Sequence, residues 1–300
     1  MTSGKKGGSE KINRYGQTFL IDANIADKIV NSAEISPSDT VIEIGPGQGV
    51  LTQRLLPKAG KLIAIEIDSS LCRLLEKKIS QISKNFILIN SDFLKLKTGA
   101  LAKHLQPYSR KTTSHSHAPA PCIKFISNLP YYISSPIIEK VLMMKNWSVA
   151  VFMVQKEFAD RIFSKPGTKQ YSSLTLFVHF YAEAKKLFNV SRHCFRPVPS
   201  VDSTVIMLKR RPLSKRQLSV SGVMFKLIRG AFTHRRKTML NSLKISLRTP
   251  WVLPAAAGRV PVEQLLREAF ARNEINPSAR PEEISPEKFF SLSLDLKRKI

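Results

Sequence analysis

Short runs rich in β-branched residues alternate with helix-length patterns along the first two-thirds of the chain, and this alternation narrows the possible folds most. "TVIEIG" (40–45), "KLIAIEI" (61–67), "FILIN" (86–90), "CIKFISN" (122–128) and "SVAVFMVQ" (148–155) read as strands. Segments such as "SSLCRLLEKKISQI" (69–82) carry apolar residues at helical spacing between them. Strand, helix and strand in repetition predict an α/β domain, a parallel sheet with helices on both faces. "KKLFNV" (185–190) and "STVIMLKRR" (203–211) are separated only by a Pro-rich loop, which predicts an antiparallel hairpin at one sheet edge. After Pro212 the texture is helical only, so a smaller all-helical domain is expected. The expected division is a flexible basic tail over 1–12, an α/β domain over 13–212 and a helical domain over 213–300.

The 300 residues, 43% of them hydrophobic, suffice for one large core or a large and a small one. Charge is the unusual feature: 48 Lys+Arg against 22 Asp+Glu give +26. Solubility needs a net charge of only about 2–8. An excess on this scale costs self-repulsion and suits a polyanionic partner, a merely basic surface being the bland alternative. Between Lys209 and Arg248 stand 12 Lys or Arg and no Asp or Glu, the density of a phosphate-binding face or of one solvated helix face. Cys72, Cys122 and Cys194 form no CxxC pair, so neither a zinc knuckle nor a disulfide framework is indicated. His115 and His117 lie in the Pro, Ser and Thr-rich stretch at 106–121 without acidic or Cys partners, and no metal is expected. No apolar run approaches the roughly 18 residues of a membrane span, and the start lacks an apolar signal segment, so a cytoplasmic protein is expected.

In "VIEIGPGQGVLTQRLL" (41–56) a strand runs into Gly45, Gly47 and Gly49 and a helix follows, which lets a ligand approach backbone at a strand's carboxyl end. The spacing is GxGxG, whereas the dinucleotide fingerprint GxGxxG has its third glycine one residue later. Glu66, 21 residues beyond Gly45, closes the second strand, where a carboxylate can accept both ribose hydroxyls of a nucleoside. Asp92 stands just past the third strand, placed either to take the exocyclic amine of an adenine or to act as a plain helix N-cap.

The fourth strand ends in "NLPY" (128–131). An adenine N6 amine is a poor nucleophile because its lone pair is delocalised into the ring, so alkylating it requires holding the nitrogen near the pyramidal geometry of attack. The Asn128 side-chain oxygen and the Leu129 carbonyl can each accept one N–H, Pro130 fixes the turn, and Tyr131 can stack on an extruded base. Without the motifs before it, the stretch would read as a strand-ending turn with a core tyrosine.

From "GQTFLIDANIADKIV" (16–30) through "NLPYYISSPI" and "MVQKEFADRI" (153–162) to "FRPVPSVDSTVIML" (195–208), the chain resembles the ribosomal RNA adenine dimethyltransferase family. "AFTHRRKTMLNSLK" (231–244) and "INPSARPEEISPEKF" (275–289) are similar to the bacterial members acting on small-subunit ribosomal RNA. The resemblance implies a Rossmann-like S-adenosylmethionine-dependent methyltransferase sheet with a helical C-terminal domain. It implies conversion of two adjacent adenosines near the 3′ end of that RNA to N6,N6-dimethyladenosine. The implied partners are the RNA and the pre-assembled small subunit, with the enzyme a monomer.

By the same resemblance Gln17, Thr18, Leu20, Gly45, Gly47, Glu66, Asp92 and Asn128 bind the cofactor. Leu129, Pro130 and Tyr131 complete the target-base side, with Phe195 as a second aromatic for the flipped adenine, and Arg235, Arg236 and Lys237 meet RNA. Two departures stand out: Thr18 replaces the family's usual Asn, and the loop at 106–121 is long. Large-subunit methyltransferases of the resistance type usually carry isoleucine at the position of Leu129, and a DNA adenine methyltransferase would need a recognition domain that this length leaves no room for. A non-enzymatic RNA-binding descendant of the fold would be expected to have a broken GxGxG or NLPY, and both are intact here.

Overall fold

The computed structural model describes residues 18–80, 84–97, 99, 101, 103–105, 122–234, 236–247 and 261–297. The expected basic tail, Gln17, His115, His117, the 106–121 loop and Arg235 lie outside the described residues.

Seven strands form one sheet in the order β4-β3-β2-β5-β6-β9-β7. They are β2 (Thr40–Ile44), β3 (Lys61–Glu66), β4 (Phe86–Asn90), β5 (Ile123–Asn128), β6 (Trp147–Gln155), β7 (Ala182–Val190) and β9 (Ser203–Arg210). The pairs β4/β3, β3/β2, β2/β5 and β5/β6 are parallel, as strand-helix-strand repetition requires. β9 and β7 are neighbours at one edge, with β7 outermost. β1 (Phe19–Leu20) and β8 (Phe195–Arg196) make a separate antiparallel pair, Leu20 opposite Phe195.

Buried on both faces, the central strands need no polar alternation. Val41, Leu62, Ile126 and Val151 share a core with Ala26, Ile29 and Val30 of α1 (Ala23–Ser32) and Leu55 of α2 (Thr52–Leu55). Their chain neighbours Ile42, Ile63, Phe125 and Phe152, pointing to the opposite face, are also fully buried, so that face is covered too. α1 buries residues at i, i+3 and i+4, and Asp22 caps it, Oδ1 accepting the Ile25 N–H at 3.0 Å.

Packing divides the chain into one unit of residues 1–140, 144–156 and 185–208 and a second of 141–143, 157–184 and 209–300. The second unit therefore takes in residues 141–143, 157–184 and 209–212 from before the single cut expected at 212/213, including α6 (Ser173–Tyr181). The reason is aromatic: Phe177 and Tyr181 of α6 pack on Phe225 of α7 (Lys215–Thr233), with ring centroids 4.2 and 5.5 Å apart. Tyr171 donates its hydroxyl to the Ile284 carbonyl at 3.2 Å. Within the same unit α7 lies against α8 (Met239–Leu247), where a Cβ on Gly230 would come 3.0 Å from that of Ser246.

Candidate active site

Chain connectivity reverses direction across the sheet between β2 and β5: the chain steps outward from β2 through β3 to β4, then returns to β5 on the other side. Such a switch point leaves a crevice at the carboxyl ends of the strands. β5 pairs with β2 only along Thr40–Ile42, and beyond that the Ser127 hydroxyl accepts the Ile44 N–H at 2.8 Å, bridging the strands as they part. A cavity of about 550 Å³ opens there. Thr18, Leu20, Gly45, Gly47, Glu66, Asp92, Asn128, Leu129, Pro130 and Tyr131 all line it.

The glycine turn after β2 forms its floor. Gly45, Gly47 and Gly49 have φ of +67°, +57° and +85°, a region costly to any residue with a Cβ. A Cβ at Gly47 would also come 3.1 Å from the Phe19 ring, and one at Gly49 2.7 Å from Leu75 Cδ2. Glu66, 2% exposed, braces this turn: Oε2 accepts the Gly47 N–H at 3.1 Å and Oε1 the Asp68 N–H at 3.0 Å. Burial raises the Glu66 pKa, and those backbone donors partly pull it back. Of about four lone-pair positions on a carboxylate, the backbone donors of Gly47, Ile67 and Asp68 engage three, which leaves about one for a ligand.

Glu43, one strand over and 1% exposed, also lines the cavity. Burial lifts its pKa to about 8, with the Thr52 hydroxyl opposing and Glu66 adding to the rise, and its Oε2 has no partner among the described residues. Sequence reasoning passed over this residue, although its place two residues before Gly45 on a fully buried strand was a usable signal. Asp92 makes the bonds of a cap on a single turn: its Oδ1 accepts the Leu94 N–H at 2.8 Å and its carbonyl accepts the Lys95 and Leu96 N–H groups, while the chain continues to Lys97 as a turn and not as a helix.

The NLPY turn is fixed at three points. Leu129 N–H bonds the Met153 carbonyl at 3.0 Å, the Ser134 hydroxyl donates to the Pro130 carbonyl at 3.0 Å, and Tyr131 and Ser203 hydroxyls lie 2.8 Å apart. Ser134 and Ser203, both buried, were not anticipated from sequence. Inside this rigid turn the Asn128 Oδ1 is buried without a partner among the described residues. A buried acceptor left unpaired costs about 1–3 kcal/mol, a loss that a ligand N–H can recover.

Phe195 does not line the cavity and is 0% exposed, held opposite Leu20 within the core formed by Val190, Val205 and their neighbours. Arg236 and Lys237 stand exposed in the turn between α7 and α8, in the unit without the cavity.

Residues 8–256 match the family described as ribosomal RNA adenine dimethylase. A ribosomal RNA small subunit methyltransferase A from Clostridium botulinum is 36% identical over 95% of this chain and 96% of its own. One from Lactococcus lactis subsp. lactis is 38% identical over 93% and 88%. Among solved structures, a dimethyladenosine transferase from Plasmodium falciparum superposes with a TM-score of 0.72 at 27% identity, covering 94% of this chain and 98% of that one. The 23S rRNA methyltransferase ErmE gives 0.58 at 26%, covering 93% and 99%. Match, coverage and the intact strand-end motifs agree: the chain belongs to the ribosomal RNA adenine dimethylase family.

Proposed function

We propose that this chain is an S-adenosylmethionine-dependent methyltransferase that dimethylates N6 of two adjacent adenosines near the 3′ end of small-subunit ribosomal RNA. Its substrate is the pre-assembled small subunit, on which it acts as a cytoplasmic monomer. The observation that carries the reading is the buried, unpartnered Asn128 Oδ1 at the rim of a cavity whose far wall holds Glu66 and Asp92.

The residues fit the cofactor. A glycine floor that a Cβ would obstruct admits the methionine portion, buried Glu66 accepts from the ribose, and Asp92 accepts from the adenine amine. When bound, S-adenosylmethionine supplies a methyl group already activated by a sulfonium. The chain's own task is orientation: Asn128 Oδ1 and the Leu129 carbonyl accept from the target amine, Tyr131 stacks on its base, and the proton displaced on methylation leaves to water. No strong general base is needed for this displacement. The exposed basic residues of 213–300, Arg236 and Lys237 among them, hold the RNA phosphates, as Arg235 does in the same sequence cluster.

The likeness to ErmE favours a second reading, a large-subunit substrate, but the relatives of highest identity given above carry the small-subunit name. The deciding experiment incubates purified protein and labelled S-adenosylmethionine with small and large subunits from cells lacking the activity. Dimethyladenosine is expected at two adjacent positions of the small-subunit RNA; label confined to the large subunit would overturn the proposal.

A further inference from the structure

Lys140 makes an arrangement that no catalytic step requires. It sits on α4 (Ser134–Met143), and its ammonium donates to the carbonyls of Phe93 at 2.5 Å, Leu94 at 3.0 Å and Leu96 at 2.6 Å. The same nitrogen lies 4.9 Å from the centroid of the Phe93 ring. A lysine has three N–H donors and here all three are spent on one five-residue turn. That turn begins at Asp92 and supplies Asp92, Phe93 and Leu94 to the cavity wall.

The other end of α4 meets the NLPY turn, where Ser134 donates to the Pro130 carbonyl. At about 1.5 Å per residue, the two attachments are roughly 9 Å apart along one helix. A rigid element thus joins the turn assigned to the cofactor's adenine with the turn assigned to the target base. Three carbonyls converging on one point are hard to satisfy otherwise, since buried peptide oxygens left without donors would turn away or admit water.

We propose that Lys140 is a positioning residue for the adenine subsite, holding the Asp92–Leu96 turn in the shape that receives the cofactor's adenine edge. The inference rests on the cofactor reading given above. Lys140 touches neither reactant, and its effect passes through the carbonyls of the turn and so to the carboxylate of Asp92.

The test compares wild type with Lys140→Met, which keeps the apolar stem and removes every donor, and with Lys140→Arg, which keeps the charge but whose planar guanidinium cannot point three N–H groups at one cluster of carbonyls. Calorimetry would measure S-adenosylmethionine and the fragment 5′-methylthioadenosine, which lacks the amino-acid end. Lys140→Met should weaken both tenfold or more and by similar factors, with KM for the cofactor rising in step and kcat at saturating cofactor staying within threefold. Lys140→Arg should fall between the two proteins, which keeps the test decisive if the methionine variant does not fold. Cofactor and fragment affinities within twofold of wild type in both variants would overturn the inference, as would a loss seen in kcat alone. Failure of wild type itself to bind S-adenosylmethionine would instead overturn the cofactor reading.

Discussion

Glu43 and Asn128 show how single residues trade stability for a site. Burial holds the Glu43 pKa at about 8 in the folded chain, against 4.5 for an ordinary glutamate. Below pH 4.5 the group is protonated in both states and its contribution is fully present. Between 4.5 and 8 the unfolded chain ionises while the folded chain keeps its proton, so stability falls as pH rises, by at most about 1.4 kcal/mol per pH unit. Glu43→Gln should flatten that decline and raise the melting temperature at pH 8 more than at pH 5; parallel pH profiles for the two proteins would show that Glu43 is not held neutral. Glu66 shifts in the same direction, so a shallower slope should survive the substitution. At Asn128 the missing partner belongs to the reaction, and Asn128→Ala should lower turnover strongly while RNA affinity stays within a few fold. Near-normal methyl transfer by that variant would remove the amide from the mechanism. Asn128, Glu66 and Asp92 were legible because strand ends followed by polar residues name themselves in a sequence. Glu43 carried a signal in its place before Gly45, but Ser134, Ser203 and Lys140 were not legible, since a helical serine, a serine opening a strand or a helical lysine looks ordinary until its three-dimensional partner is known.

Among the elements, the turns after the strands do the positioning and the strands supply rigidity. The floor turn illustrates the tolerance: Gly47 combines a left-handed backbone with a Phe19 ring 3.1 Å from where a Cβ would stand. Gly47→Ala should therefore strain the turn and press on β1, weakening cofactor binding by about tenfold or more and lowering stability by roughly 1 kcal/mol or more. An alanine variant with unchanged cofactor affinity would mean that the turn does not contact the ligand. Glu66→Ala acts on the same turn from the other side, removing acceptors for the Gly47 and Asp68 N–H groups as well as for the ribose. Each charge-assisted contact is worth about 1.5–3 kcal/mol, and calorimetry should show a loss of that order in cofactor affinity. The parallel core strands were readable because their apolar runs are short, β-branched and bounded by glycine or polar turns. The position of α6 was not: its aromatic face could as well have covered the sheet, and only Phe225 of α7, some 44 residues beyond Tyr181 in sequence, accounts for the packing found. The burial of Phe195 was hidden for a related reason, since an aromatic beside a proline-rich loop carries the same letters whether it faces a ligand or, opposite Leu20, a core.

For the molecule as a whole, a charge of +26 is unevenly distributed, and the unevenness carries the last prediction. Acids in the C-terminal helices are largely engaged at home: Glu263 pairs with Lys244 and Arg267, and Asp295 with Arg272. From Lys209 to Arg248 the sequence has no acid at all, and Lys244 finds its carboxylate, Glu263, on a later helix. Arg236 and Lys237 are exposed at the α7–α8 turn, where exposed ammonium and guanidinium groups gain little from folding and much from a phosphate. If Arg235, Arg236 and Lys237 each neutralise one phosphate, changing all three to Gln should flatten the slope of log K against log[salt] by about 2–3 units, at roughly 0.7–0.9 per contact. Cofactor affinity should hardly change, because the cavity is lined only by residues of the other packing unit. Binding of small-subunit RNA fragments measured between about 50 and 300 mM salt, a range whose middle has a Debye length of about 8 Å, separates the outcomes. An unchanged slope would make the cluster a solvated face and move the phosphate contacts to other basic residues of 209–248. Lost cofactor binding in the same variant would show that the α7–α8 turn and the cavity are energetically coupled, and that the basic surface does more than gather the substrate.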